Sequence, residues 1–219
     1  MKAKYWLFVL IIDAMLELAT TVWSLPVLHL ITKPLLMVLL AGYFLSIVNT
    51  QKGNLKYVLL LALFFSWLGD CFLIYKEDTL FFMLGLGSFL LAHIAYIVSF
   101  IKFKKVITYP AITSLVVVFI IYTLVLMYVL WSGLGQMKIP VVIYAIVLTL
   151  MGITGVVHNI RVNILPVIGV VLFIISDSLI AYTKFVGPLY VSGLLIMATY
   201  IMAQFLIIQG LSKRWALEK

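Results

Sequence analysis

Two aspartates stand in stretches that are otherwise almost wholly apolar. Asp70 lies in LLLALFFSWLGDCFLIY and Asp177 in VIGVVLFIISDSLIAY. Each stretch is long enough to span a bilayer. A carboxylate at that depth costs about 2.5–3.5 kcal/mol on insertion scales, so it needs a function or a strong partner. Two such groups can do general acid/base chemistry, one donating a proton while the other stabilises a cation or activates water. They can equally serve as proton or ion relays. The bland reading makes them structural partners of a serine, tyrosine or lysine.

Other polar residues fall where they can support a polar interior. At about 1.5 Å per residue, Asp70 and Asp177 each lie roughly 6–9 Å below the outer end of their spans. Tyr144 descends to a similar level, Glu17 lies in the outer half, and His93 and Tyr200 lie nearer the middle. Helical spacing puts Ser66 with Asp70 on one face, Asp177 with Phe173 and Ile174, and Phe89 with His93 and Tyr96. It likewise groups Asp13, Glu17, Thr20 and Thr21 on the first helix, and Tyr200 with Gln204 on the last. Polar stripes on several helices must face one another, because facing lipid leaves them unpaired. A shared polar cavity follows, with Asp70 and Asp177 approaching each other across it. Asp13 and Glu17 are like charges one turn apart, so one stays protonated or pairs with a base. His93 alone reads as a satisfied interior histidine or a site residue. Lys33-Pro34 marks the start of the second span, with Lys33 at the outer surface. It is a simple start signal or the cation for an anionic headgroup.

Several chemistries are excluded. His29 and His158 sit at opposite ends of their spans, so with His93 they cannot converge on one zinc. There is no Gly-x-Ser-x-Gly elbow, P-loop or dinucleotide fingerprint. The single cysteine, Cys71, forms no intrachain disulfide and reads as a packed thiol. What remains is carboxylate chemistry on something lipid-soluble, or ion translocation.

The elements that must position these groups are membrane helices. The 219 residues are 66% hydrophobic and 10% charged, with mean hydropathy +1.27. No soluble core needs so much apolar surface. The expectation is an all-α polytopic membrane protein of eight transmembrane helices, one domain over residues 1–219. The spans fall at about 5–25, 34–49, 55–75, 80–101, 110–131, 139–158, 164–183 and 188–210. The first is read as a retained helix, since Asp13 and Glu17 interrupt it and no small-residue cleavage site precedes Pro26. The net charge of +8 comes from basic residues at segment ends, which read as topology and headgroup contact rather than nucleic-acid binding. Eleven lie on one side and four (Lys33, Lys76, Lys138 and Lys184) on the other, placing both termini in the cytoplasm. The expected location is the cell (inner) membrane. The sequence sets no oligomeric state. Asp70…Tyr75 and Asp177…Tyr182 share a five-residue spacing in the third span of each half, which reads as a four-plus-four repeat or as chance.

At these residues the chain resembles a known family. Thr32-Lys-Pro-Leu35, Ser66-Trp-Leu-Gly-Asp70, Gly85…Phe89…His93…Tyr96, Gly169…Phe173-Ile-Ile-Ser176-Asp177-Ser178 and Tyr200…Gln204 are similar in order and spacing to the YhhN/TMEM86 family of lysoplasmalogenase-like membrane proteins. The resemblance covers nearly the whole chain. It implies an eight-helix hydrolase that cleaves the vinyl-ether bond of a lysophospholipid to a fatty aldehyde and a glycerophospho-headgroup. It also implies Asp70 and Asp177 as the catalytic pair. Lys33, Ser66, His93, Tyr96, Tyr144, Ser176, Tyr200, Gln204 and Glu17 would support or bind the substrate.

The chemistry fits carboxyl groups. Protonating the β-carbon of a vinyl ether makes an oxocarbenium ion, water adds, and the hemiacetal collapses. One carboxylic acid donates and one carboxylate stabilises the cation, as in glycosidases. The mechanism calls for no metal or organic cofactor. The rival reading is a proton-coupled transporter of lipids or small molecules using the same buried acids. A third is a lipid-binding scaffold with a structural polar core.

Overall fold

The computed structural model describes residues 3–48, 53–103 and 109–217. Among them the chain is helical with no strand. The helices are α1 (Ala3–Trp23), α2 (Pro26–Ile47), α3 (Leu55–Leu73), α4 (Thr79–Ile101), α5 (Tyr109–Leu130), α6 (Lys138–Asn159), α7 (Ile164–Phe185) and α8 (Ser192–Leu217). All eight contain a segment long and apolar enough to cross a membrane. Helices are what such sequences must form, because in hydrocarbon each backbone N–H and C=O needs a partner within its own segment. The protein is a multi-pass membrane protein.

The chain divides into two compact units. One holds residues 1–99 with 211–219, the other residues 100–210. The division falls near the end of α4, so α3 with Asp70 belongs to the first unit and α7 with Asp177 to the second.

Two expected boundaries are corrected. The second span begins at Pro26, not at Lys33-Pro34, and Pro34 lies inside α2. Pro26 occupies the first turn, where its missing N–H costs nothing. Pro34 is accommodated further in at the loss of one ladder bond. The reversal between α1 and α2 is tight, with Ser24 at φ 52°. Lys33 therefore does not cap the span at the outer surface: it sits about two turns inside α2. The last helix continues past 210 to Leu217. Arg214, expected among the headgroup-facing cations, is only 1% exposed.

In α1 the hydrophobic pattern is turned outward. Asp13, Glu17 and Thr20 are buried, while Phe8, Ile11, Met15 and Trp23 are exposed. This suits a helix whose solvent is lipid, since the polar stripe has to find protein partners. Two glycines let neighbouring helices approach closely, one beside Asp70 and one about two turns before Asp177. At Gly69, next to Asp70, a Cβ would stand 2.5 Å from the Phe89 ring of α4. At Gly169 on α7, a Cβ would meet the Ala203 carbonyl oxygen of α8 at 2.8 Å. Such small-residue contacts replace the missing hydrophobic drive between membrane helices.

The expectation that both termini are cytoplasmic rests on the basic residues. Lys2, Lys52, Lys104, Lys105 and Lys219 lie outside the described residues. Moving Lys33 into α2 and burying Arg214 leaves the asymmetry intact. Reporter fusions at positions 105 and 76 are expected to read cytoplasm and exterior respectively. The same side for both would overturn the eight-span topology.

Candidate active site

In the first unit, Asp70 and Ser66 are buried one turn apart on α3, at 2% and 0% exposure. The Phe89 ring rests on Gly69, and His93 and Tyr96 follow along α4, both fully buried. Lys33 reaches this region from α2. Its ammonium is attracted by the Asp70 and Glu17 carboxylates and repelled by Lys76. A cation in a membrane helix is expensive without nearby negative charge, and Asp70 and Glu17 supply it.

Glu17 is the centre of a network that the sequence reading did not assemble. Thr32 Oγ1 donates to Glu17 Oε2 at 2.6 Å, and Thr20 Oγ1 reaches the same oxygen at 3.3 Å. His29 Nδ1 stands 2.9 Å from Glu17 Oε1. Asp13, one turn along α1, is buried, and its Oδ2 has no hydrogen-bond partner among the described residues. His29 had been weighed only as a metal ligand. The missed signal lay in the start of α2: once it begins at Pro26, His29, Thr32 and Lys33 fall at i, i+3 and i+4.

In the second unit, Tyr144 of α6 donates its phenolic hydrogen to Asp177 Oδ2 at 2.5 Å. The two residues lie at the similar depth read from the sequence, which did not single out this pair. A short bond from a buried phenol fixes one oxygen of the carboxyl. Next to Asp177, Tyr122 of α5 donates to Ser178 Oγ at 2.7 Å, which in turn donates to the Ile174 carbonyl at 2.6 Å. Neither Tyr122 nor Ser178 was placed among the supporting residues. Tyr200 packs edge-on against Phe173, with ring centroids 5.6 Å apart. Gln204 Nε2 donates to the Tyr200 hydroxyl at 3.3 Å. Ser176 Oγ donates to the Ile196 carbonyl at 3.1 Å, so its hydroxyl ties α7 to α8.

Each aspartate thus has a distinct setting: Asp70 beside a cation, Asp177 beside a neutral phenol. The family model described as YhhN family matches residues 28–211, a stretch that includes both. The chain belongs to the YhhN family. Among curated proteins it is similar to two named lysoplasmalogenase, from Mycobacterium bovis and Mycobacterium tuberculosis. Each is 30% identical over 152 residues, covering 68% of this chain and 58% of the relative. The chain therefore spans less than two thirds of the length of these relatives. No solved structure matches it.

Proposed function

We propose that this YhhN-family protein is a membrane-embedded hydrolase that cleaves the vinyl-ether bond of a lysoplasmalogen or a related single-chain lipid. The observation that carries the reading is a pair of buried carboxyl groups, Asp70 and Asp177, each supplied with a partner of different charge. The similarity to proteins named lysoplasmalogenase supports it.

Asp177 is the proton donor in this mechanism. With Oδ2 held by Tyr144, the acid proton resides on Oδ1 and passes to the β-carbon of the alkenyl chain. The π electrons form the new C–H bond, and positive charge develops across the adjacent carbon and the ether oxygen. Asp70, its negative charge balanced by Lys33, stabilises that oxocarbenium ion and takes a proton from the attacking water. The hemiacetal then collapses: its hydroxyl proton passes to the Asp177 carboxylate, restoring the acid, and the ether oxygen leaves with the proton that Asp70 took from water. The products are a fatty aldehyde and a glycerophospho-headgroup, with one water consumed and no net proton released. The membrane expected to hold the enzyme is the cell (inner) membrane.

The test is aldehyde release by purified protein from a synthetic lysoplasmalogen. The matched control is the saturated alkyl ether, which has no β-carbon to protonate and should release nothing. No aldehyde from either lipid would overturn the proposal and favour the transporter.

Tyr144 is a positioning residue in this scheme, and Tyr144→Phe separates that role from packing. The ring is kept and the hydrogen bond to Oδ2 is lost; it becomes charge-assisted as Asp177 gives up its proton and is then worth about 1.5–3 kcal/mol. The expected result is kcat lower by about 10- to 100-fold with KM nearly unchanged. An unchanged kcat would remove Tyr144 from the mechanism.

A further inference from the structure

Two hollows in the second unit share Thr123 and Thr149, and the inner one is lined by Ile174, one helical turn from Asp177. The outer one is a groove of about 370 Å³ between α5 and α6. Its walls are Val116, Ile120 and Leu124 on one side and Ile146, Leu150 and Ile153 on the other. Its volume falls at the lower end of the roughly 300–1,000 Å³ typical of small-molecule pockets. Thr123 and Thr149 also line it, and their hydroxyls bond each other at 2.6 Å. The same two threonines line the second hollow, of about 20 Å³, with Tyr122, Leu148 and Ile174. That is room for roughly one water molecule. Ile174 lies one turn before Ser178, whose hydroxyl receives Tyr122, and Leu148 lies one turn after Tyr144.

The order along α6 gives the two hollows a direction. Tyr144 comes first, then Leu148 and Thr149, then Ile153, spanning roughly 13 Å at 1.5 Å per residue. The reactive carboxyl is at one end and a wholly aliphatic stretch at the other. Lys138, over the Trp131 ring at 4.8 Å, marks the polar end of α6. Most of α5 is exposed, including Val118, Ile121 and Tyr128, so this wall of the groove faces the bilayer.

We propose that the α5–α6 groove is the binding site for the hydrocarbon chain of a single-chain lipid, which enters sideways from the bilayer past the Thr123–Thr149 pair. The inference deepens the proposed hydrolase function and rests on it for the identity of the lipid. The chain lies along Ile120, Ile146 and Leu150 with its tail toward Val116 and Ile153. Its first carbons, those of the vinyl ether in a lysoplasmalogen, lie toward Tyr144 and Asp177. Opening the threonine pair joins the groove to the inner hollow and lets the reactive end pass.

The experiment is photo-crosslinking on the full chain in nanodiscs. The probe is an ether-linked lysophosphatidylethanolamine with a diazirine at the chain terminus; a diacyl phosphatidylcholine with the same diazirine is the comparison. Labelled peptides are mapped by mass spectrometry. The expected result is labelling at 116–124 and 146–153 by the single-chain probe, at least tenfold above the diacyl probe. Unlabelled single-chain lipid should displace it. Ile146→Trp, which fills an already lipid-exposed position, should cut the labelling at least tenfold. Equal labelling by both probes would mean ordinary bilayer lipid and would overturn the proposal. So would labelling elsewhere, or labelling unaffected by Ile146→Trp. The readout needs no turnover: displaceable labelling without aldehyde release would sink the hydrolase reading and leave the groove standing.

Discussion

Asp70→Asn and Asp177→Asn are each expected to give a folded protein whose aldehyde release falls by about 10²–10⁴-fold, the usual effect of losing a catalytic acid or base. Asparagine keeps the size of the buried side chain and can still accept the Tyr144 hydrogen bond at position 177. It can neither deliver an acidic proton nor take one from water. The double variant decides whether the two groups act in one step. If Asp177 protonates carbon while Asp70 stabilises the resulting cation, removing either leaves nothing for the other to assist. The double variant should then be no slower than the worse single variant, a departure from additivity expected of residues working as a unit. Full additivity would mean two independent contributions and would remove the paired mechanism. Each variant must first run as a single peak in gel filtration, since the structural reading predicts misfolding instead. A folded Asp177→Asn protein keeping more than a tenth of wild-type turnover would take Asp177 out of the chemistry.

The eight helices were legible because each depends on a property summed over some twenty residues, which a single misplaced charge does not alter. The burial of Asp13, Glu17, Asp70 and Asp177 was legible for a related reason: in lipid, a polar group on a helix points to the protein interior. The similar depth of Tyr144 and Asp177 was legible from the sequence, but their hydrogen bond was not, since depth does not fix which residues face each other. The start of α2 was not legible. Lys33-Pro34 carries a charge and a helix breaker side by side, and locally that is a boundary. The helix nonetheless starts at Pro26 and runs through Pro34, with Lys33 near the Glu17 and Asp70 carboxylates. That one misplacement hid the His29–Glu17–Thr32 network, whose members share a face only if α2 begins at Pro26. Arg214 shows the same effect at the other end of the chain, where a buried cation was read as a surface one.

Glu17→Ala is expected to lower stability by about 3–5 kcal/mol, the usual cost of breaking a buried charged network from one side. Glu17 is fully buried and accepts from Thr32 and Thr20 while facing His29. Truncation leaves Thr20 and Thr32 with only the backbone carbonyls of Glu17 and Leu28 to bond, opens a cavity between α1 and α2, and removes one of the carboxylates that attract Lys33. Asp70 then carries the Lys33 charge alone, so a functional loss should accompany the structural one. Glu17→Gln divides the two effects. It keeps the volume and an acceptor for Thr32, so most of the stability should return, while the charge facing Lys33 stays absent. The expected order of unfolding midpoints in detergent is wild type, Glu17→Gln, then Glu17→Ala. His29→Ala should cost much less, about 0–1 kcal/mol, because the imidazole is 30% exposed and the pair is partly screened. If Glu17→Ala unfolds within about 0.5 kcal/mol of wild type, Glu17 does not hold α1 to α2. The Lys33–Asp70 interaction would then have to be organised from α3 and α2 alone.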